Sequence, residues 1–260
     1  MFVTTSDGVD LWWEQLGKGP AVLLIPGRGD STDLFPKLLI DRLVGAGVSV
    51  LRMDPRDTGL SADGGNVYTL STLADDIVAV LDAANVSRVH TVAVSMGGMI
   101  TVDLVSRFSH RVISSTFIAA MSPDPDAGMG PDFFAALGST DRTSMLMAMM
   151  GTPDESDRAW IDEESHRAAI RAPERPEAAE RHMAASFRFG WPALDQLSDF
   201  DSPALVIHGT SDRLLPTAHA QALASGIDGS DLHLIDGMGH LPTKRQWEQV
   251  AGLVARHVSS

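Results

Sequence analysis

Apolar positions along the chain follow two rhythms. Short, almost continuous apolar runs at residues 21–25, 48–53, 89–94, 112–119, 204–207 and 232–235 read as strands, several of them buried on both faces. Between them, apolar residues recur every three or four positions, the period of an amphipathic helix, over 34–46, 70–84, 217–225, 247–258 and the run Met99, Val102, Val105, Phe108. Residues 2–5 and 9–16 read as two more strands around Asp7-Gly8, a favoured hairpin pair. Strands that alternate with helices imply a mostly parallel sheet covered by helices on both faces.

The rhythm breaks between residues 121 and 197. Apolar residues thin out, prolines and charges rise, and no buried strand is evident. Residues 133–137, 144–150, 158–171 and 176–189 read as short helices, among which lie Met129, Met145, Met147, Met149, Met150 and Met183. The stretch is too poor in large apolar residues to fold alone. It is expected as a helical cap over 122–197, inserted into a core made of 1–121 and 198–260.

Composition narrows the function classes. With 260 residues and 44% of them hydrophobic, the chain suffices for one α/β domain with an insertion. A net charge of -14 argues against nucleic-acid binding and against anionic membranes. There is no cysteine, hence no disulfide, thiol nucleophile or cysteine metal site. The first sixteen residues lack the basic and long apolar regions of a signal peptide, and no apolar run approaches a membrane span of about 18 residues, so a cytoplasmic location is expected. No H-E-x-x-H spacing and no glycine-rich dinucleotide or phosphate loop occurs, so no metal and no cofactor is expected.

The chemistry centres on Val92-Ala93-Val94-Ser95-Met96-Gly97-Gly98. A strand that becomes a helix within one residue cramps the backbone, so the neighbours two positions from Ser95 must be small; here they are Ala93 and Gly97. Taken alone, the stretch reads equally as an ordinary turn before a helix. A serine hydroxyl becomes a nucleophile only with a base, held in one tautomer by an anion. Asp212 follows the strand 204–207 and His240 follows the strand 232–235, both at carboxyl ends of strands, where open α/β sheets place their sites. Asp212 could instead cap the next helix, and His240 is one of nine histidines; their order and their strand-end positions together favour the triad Ser95, Asp212, His240.

With these residues in view the chain resembles the α/β-hydrolase superfamily along nearly its whole length. The resemblance rests on Ala93-Val94-Ser95-Met96-Gly97-Gly98, on Gly209 through Pro216 with Asp212, on Gly237-Met238-Gly239-His240, and on Asp54-Pro55-Arg56-Asp57-Thr58-Gly59-Leu60-Ser61. Arg56-Asp57-Thr58-Gly59 and the Gly-Met-Gly-His run are most similar to aclacinomycin methylesterases; Ser-Met-Gly-Gly-Met-Ile is similar to enol-lactonases. It implies an α/β-hydrolase fold, with the cap as its variable part.

An oxyanion hole needs two backbone N–H donors. One is expected at Met96, on the N-terminus of the helix after Ser95. The resemblance implies the second at Arg28, in the loop Pro26-Gly27-Arg28, where Pro26 stands in place of the usual histidine and removes no donor. Arg56 and Asp57 are expected to brace loops, and a hydrogen-bonded structural role is expected of His208. Asp124 is the rival acid, since some superfamily members place it after the strand ending near Ala119. Gly27, Phe133, Phe134, Met145, Met149 and Leu214 are the candidate pocket residues.

The expected activity is a serine hydrolase acting through an acyl-enzyme on an ester or lactone of an apolar small molecule. C–C bond hydrolysis, thioester cleavage and perhydrolysis use the same triad and remain open, as does a non-hydrolytic ligand-binding protein or cyclase. The small-molecule substrate is the only partner expected, with no nucleic acid and no membrane, for a monomer or homodimer.

Overall fold

A computed structural model describes residues 1–65, 67–122, 124–132, 142–173, 175–187, 197 and 200–259. Its strands are β1 (Phe2–Thr4), β2 (Asp10–Leu16), β3 (Ala21–Ile25), β4 (Ser49–Met53), β5 (Val89–Val94), β6 (Val112–Ile118), β7 (Ala204–Gly209) and β8 (Asp231–Ile235). They form one sheet in the order β1-β2-β4-β3-β5-β6-β7-β8. The β1–β2 and β2–β4 pairs are antiparallel and all later pairs are parallel. The described helices are α1 (Lys37–Gly45), α2 (Leu70–Ala83), α3 (Met96–Phe108), α4 (Arg142–Met149), α5 (Glu155–Arg171), α6 (Pro176–Phe187), α7 (Ala218–Gly226) and α8 (Lys244–His257).

The two-residue period of the strands divides the core. In β3, Leu23 and Ile25 face a cluster shared with α2, α3 and α7, through residues such as Ile77, Val102 and Leu223. Val22 and Leu24 face the opposite cluster with α1 and α8, through Leu39, Leu43, Trp247 and Val250. Both faces of β3 are therefore apolar and covered, as a continuous apolar run requires, whereas the edge strand β8 is partly exposed. Each such fully buried side chain stabilises the fold by roughly 1.5–3 kcal/mol relative to exposure.

Helix boundaries shift from the apolar period where polar chemistry decides. The sequence predicts a helix from residue 34, but Thr32–Leu34 forms a 3-10 turn and α1 begins at Lys37. Phe35 precedes Pro36 and is held extended, φ -82° and ψ 118°, because a residue before proline disfavours the helical region. Helix α8 starts three residues before the periodic signal, since Thr243 and Gln246 make a reciprocal capping box. Helix α5 starts early for the same reason, with Asp154 and Asp157 as the box. The helix predicted at 133–137 lies outside the described residues.

Between β6 and β7 the chain passes through α4, α5 and α6, and arginines tie the last two to the loops after β3 and β4. Arg171 grips both oxygens of Asp54, each at 2.8 Å, also bonds Asp33, and lies over the Trp12 ring at 4.7 Å. Arg175 donates to Ser61 O, and Arg181 to Asp57 and Asp63. Asp54 is fully buried and also accepts the N–H groups of Thr32 and Leu60. Among the described residues no helix is long and apolar enough to cross a membrane.

Candidate active site

Ser95 sits at the junction of β5 and α3 with φ 52° and ψ -116°, a conformation an L-residue adopts only when its surroundings impose it. The surroundings are visible. Ser95 N donates to Ile118 O, and Gly98 N returns to Ser95 O, each at 3.0 Å. A Cβ on Gly97 would lie 2.4 Å from Ile25 O and 2.8 Å from Pro26 O, so only glycine lets α3 start this close to β3. Ala93 stands in register with Ile25 and Phe117 and is completely buried; its methyl is part of the core and leaves the turn intact.

Asp212 and His240 meet where two loops cross. A Cβ on Gly209 would strike Met238 O at 2.1 Å, one on Gly239 would strike Met149 O at 2.3 Å, and one on Gly151 would strike Gly237 O at 2.2 Å. Three glycines therefore let the 209–216 loop, the His240 loop and the end of α4 pass in backbone contact. His240 Nδ1 lies 2.9 Å from Asp212 Oδ2, which as a carboxylate accepts a hydrogen bond from Nδ1–H and so leaves Nε2 as the basic nitrogen. Asp212 Oδ1 accepts the N–H groups of Leu214 and Leu215 at 2.8 and 2.9 Å. His208 Nε2 stands 3.2 Å from Asp212 Oδ2 and 2.9 Å from Leu215 O, so its N–H is shared between the two. Burial alone would raise the Asp212 pKa; the positive field of His240 and the hydrogen bonds from His208, His240 and the backbone outweigh it and hold the carboxyl below its usual range.

Asp124 does something else: its carboxylate accepts the N–H of Asp126 at 2.9 Å and caps a 3-10 turn. Of the two acids the sequence offered, Asp212 is the one on His240. Arg56 bonds Asp76 and Asp7, and Asp57 takes Tyr68 and Arg181, as braces do.

Ser95, His240, Met96 and Arg28 line one cavity of about 820 Å³, open mouth included. Met96 is the first residue of α3, so its N–H has no acceptor within the helix. Arg28 lies in the loop after β3, and among the described residues neither N–H is bonded to a protein acceptor. That loop is clamped from α6: His182 Nδ1 accepts Gly29 N at 2.9 Å while its Nε2–H donates to Arg56 O at 3.2 Å. The clamp fixes a neutral imidazole. Burial pushes its pKa down to about 4, against opposing influence from the Arg56 carbonyl, Asp57 and Asp30.

Gly27, Met145, Met149 and Leu214 line the cavity as the sequence suggested; Phe133 and Phe134 lie outside the described residues. Sequence reasoning did not single out Met99, Met121, Met183 or Leu241 as lining, nor His182 as the loop's clamp. Met183 belongs to the methionine group of the insertion, and Leu241 adjoins His240, so both carried a usable signal. His182 carried none, because its partner is 153 residues away. Among the described residues no group of three histidine or acidic side chains is arranged to hold a metal ion.

Residues 20–243 match the sequence profile of the alpha/beta hydrolase fold. The chain is 29% identical to the rhodomycin D methylesterase DnrP of Streptomyces peucetius, over 97% of this chain and 96% of that one. It is 27% identical to the non-heme chloroperoxidase CPO-A1 of Kitasatospora aureofaciens, over 91% and 90%. Among solved structures, the esterase RhEst1 of Rhodococcus sp. ECU1013 superposes with a TM-score of 0.83 at 21% identity, over 100% of this chain and 98% of that one.

Proposed function

The chain belongs to the α/β-hydrolase fold family, and on that premise we propose that it is a serine esterase cleaving a small carboxylic ester of an apolar acid through an acyl-enzyme. One observation carries the reading: the conformationally forced Ser95 opens into the same cavity as His240, which is already hydrogen-bonded to a buried carboxylate.

In this reading His240 Nε2 removes the Ser95 proton as Oγ attacks the ester carbonyl. Negative charge moves to the carbonyl oxygen, where the N–H groups of Met96 and Arg28 receive it. Losing one such donor typically costs about 3–4 kcal/mol of transition-state stabilisation. Asp212 offsets the positive charge on His240, which then hands its proton to the departing alcohol. Water, deprotonated by His240 in turn, attacks the acyl-enzyme and releases the acid and the free Ser95.

The methionines around the cavity suit the acyl group, because thioether side chains are apolar and adapt to irregular shapes. The DnrP relative is a methylesterase, which favours methanol or another small alcohol as leaving group. We read residues 122–197 as a cap whose helices α4 and α6 supply part of the acyl wall.

Substitution Ser95→Ala tests the mechanism. Turnover of p-nitrophenyl acetate and labelling by a fluorophosphonate should both disappear, with the melting temperature kept. Undiminished turnover in that variant would sink the proposal. Relative rates on methyl esters and lactones then place the substrate.

A further inference from the structure

In the loop after β3, Gly27-Arg28-Gly29-Asp30 closes as a turn, with Asp30 N donating to Gly27 O at 3.3 Å. Gly29 has φ 73° while Arg28 lies outside the left-handed region, which makes the turn type II. Type I and type II turns differ by a flip of the central peptide, here Arg28–Gly29, and a glycine in third place opens the type II form. Closing the turn uses neither the Arg28 nor the Gly29 N–H. Gly29 gives its own to His182 Nδ1 on α6 at 2.9 Å. The Arg28 N–H is the second donor of the proposed oxyanion hole.

We propose that His182 is a positioning residue for the reaction: by holding the Gly29 N–H from α6 it sets the Arg28 N–H on the developing oxyanion, so that the hole is complete only with α6 docked. The inference rests on the serine-esterase reading.

The two sides of the turn are anchored differently. On one side Gly27 packs against the nucleophile, where an added Cβ would lie 3.5 Å from Ser95 Cβ and 3.7 Å from Val94 O. On the other side Gly29 meets α6, where an added Cβ would strike Ala179 Cβ at 2.7 Å. Arg28 Nη1 reaches Ala179 O at 3.4 Å, so the 2.9 Å bond to His182 is the tightest polar tie between the turn and this helix. Arg28 N–H lies between the two anchors. An oxyanion donor displaced by about 1 Å costs on the order of 10²-fold in rate.

His182 is itself held rigidly. Its imidazole is completely buried. The Arg56 carbonyl at 3.2 Å can only accept, so Nε2 carries the proton and Nδ1 presents a lone pair. Tyr68 stands edge-on to the ring at 6.0 Å, and Arg56 is fixed by Asp76 and Asp7. A flipped Arg28–Gly29 peptide would turn the Arg28 carbonyl toward that lone pair with no proton between them. His182 therefore selects the type II form. Met183 and Ser186, one and four positions further along α6, line the reaction cavity, so one helix both walls the substrate and sets the donor.

Two substitutions divide the bonds of His182. In His182→Asn the amide oxygen falls where Nδ1 was and keeps the Gly29 N–H. In His182→Gln the amide nitrogen falls where Nε2 was and keeps the Arg56 carbonyl, but the Gly29 N–H loses its acceptor. With p-nitrophenyl acetate, His182→Gln should lower kcat at least tenfold, and by about 10²-fold if the donor is lost outright, with KM within threefold of wild type. His182→Asn should restore kcat to within threefold of wild type. Two inhibitors of one shape supply the second reading. 1,1,1-Trifluoro-4-phenylbutan-2-one adds Ser95 Oγ to its carbonyl carbon, passing the Oγ proton to His240 and leaving an alkoxide in the hole; 4-phenylbutan-2-one only occupies the cavity. In His182→Gln the first should weaken at least tenfold in Ki and the second by less than threefold.

A folded His182→Gln protein with a smaller fall in kcat, an equal weakening of both ketones, or a His182→Asn protein that loses as much as His182→Gln overturns the positioning role and leaves the esterase reading standing. Should His182→Gln not fold, His182→Asn decides, a loss greater than threefold counting against the proposal. Absence of ester turnover in the wild-type protein, or turnover that survives Ser95→Ala, refutes the esterase reading and the positioning role with it.

Discussion

Replacing Asp212 by asparagine keeps the size of the side chain and removes one acceptor face, and the hydrogen bonds around it decide the consequence. Four N–H groups converge on the buried carboxylate: Leu214 and Leu215 on Oδ1, His240 and His208 on Oδ2. An asparagine must aim its NH2 at one of these pairs. Aimed at the backbone pair, it leaves two buried N–H groups unable to adjust, at about 1–3 kcal/mol each. Aimed at the imidazoles, it meets groups that can change. His208 keeps its bond to Leu215 O, and His240 moves its proton to Nε2 and accepts at Nδ1. The second arrangement is favoured by roughly 2–6 kcal/mol on those figures, so nearly all of the variant carries the wrong tautomer for deprotonating Ser95. We expect kcat for p-nitrophenyl acetate to fall on the order of 10⁴-fold, the scale of such a substitution in serine proteases. The melting temperature should drop by about 2–12 °C, since the cost is roughly 1–3 kcal/mol and each kcal/mol corresponds to about 2–4 °C in a chain of this size. Asp124→Asn is the control, with at most a twofold change. A folded Asp212→Asn protein that keeps a tenth of its activity, or an Asp124→Asn protein that loses its own, refutes the assignment of the acid.

Three further outcomes are expected. Gly97→Ala should cost at least about 2 kcal/mol and most of the activity, because its Cβ would sit 2.4 Å from Ile25 O; urea unfolding together with ester turnover reads both. Arg171→Ala should destabilise by about 3–5 kcal/mol, since it leaves the buried Asp54 without its cation; a melting temperature within 2 °C of wild type, on the order of half a kcal/mol, would contradict this. His182 is buried neutral with a pKa near 4, so the unfolded chain binds its proton first as pH falls. Stability from this group is complete above the unfolded value of about 6.5, declines between 6.5 and 4, and falls no further below. The loss approaches 3 kcal/mol on the order-of-magnitude scale of 1.36 kcal/mol per pH unit, and His182→Gln should flatten the slope of melting temperature against pH across that window.

The catalytic candidates were readable because each sits at the carboxyl end of a strand, and strand ends follow from local apolar pattern. Ser95, Asp212 and His240 needed only that alternation, the glycines around them and their order. The helical stretch between β6 and β7 was legible as a loss of rhythm but not in its element boundaries. The start of α5 depends on the Asp154–Asp157 box, and its helix carries only Asp157, Trp160 and Ile161 as buried residues, too few to impose a period.

By itself, then, the chain determined the alternation of strands and helices, the sharp turn at Ser95 and the strand-end positions of Asp212 and His240, all of them consequences of neighbours in sequence. Tertiary structure put Asp212, and not Asp124, within hydrogen-bond reach of His240, brought His208 onto the same carboxylate and set His182 against Gly29. The physical reason is range. Apolar period and turn chemistry act over a few residues, whereas a buried hydrogen bond is settled by which polar groups the packed layers bring within 3 Å of each other, and the 153 positions between Gly29 and His182 leave no mark in either segment.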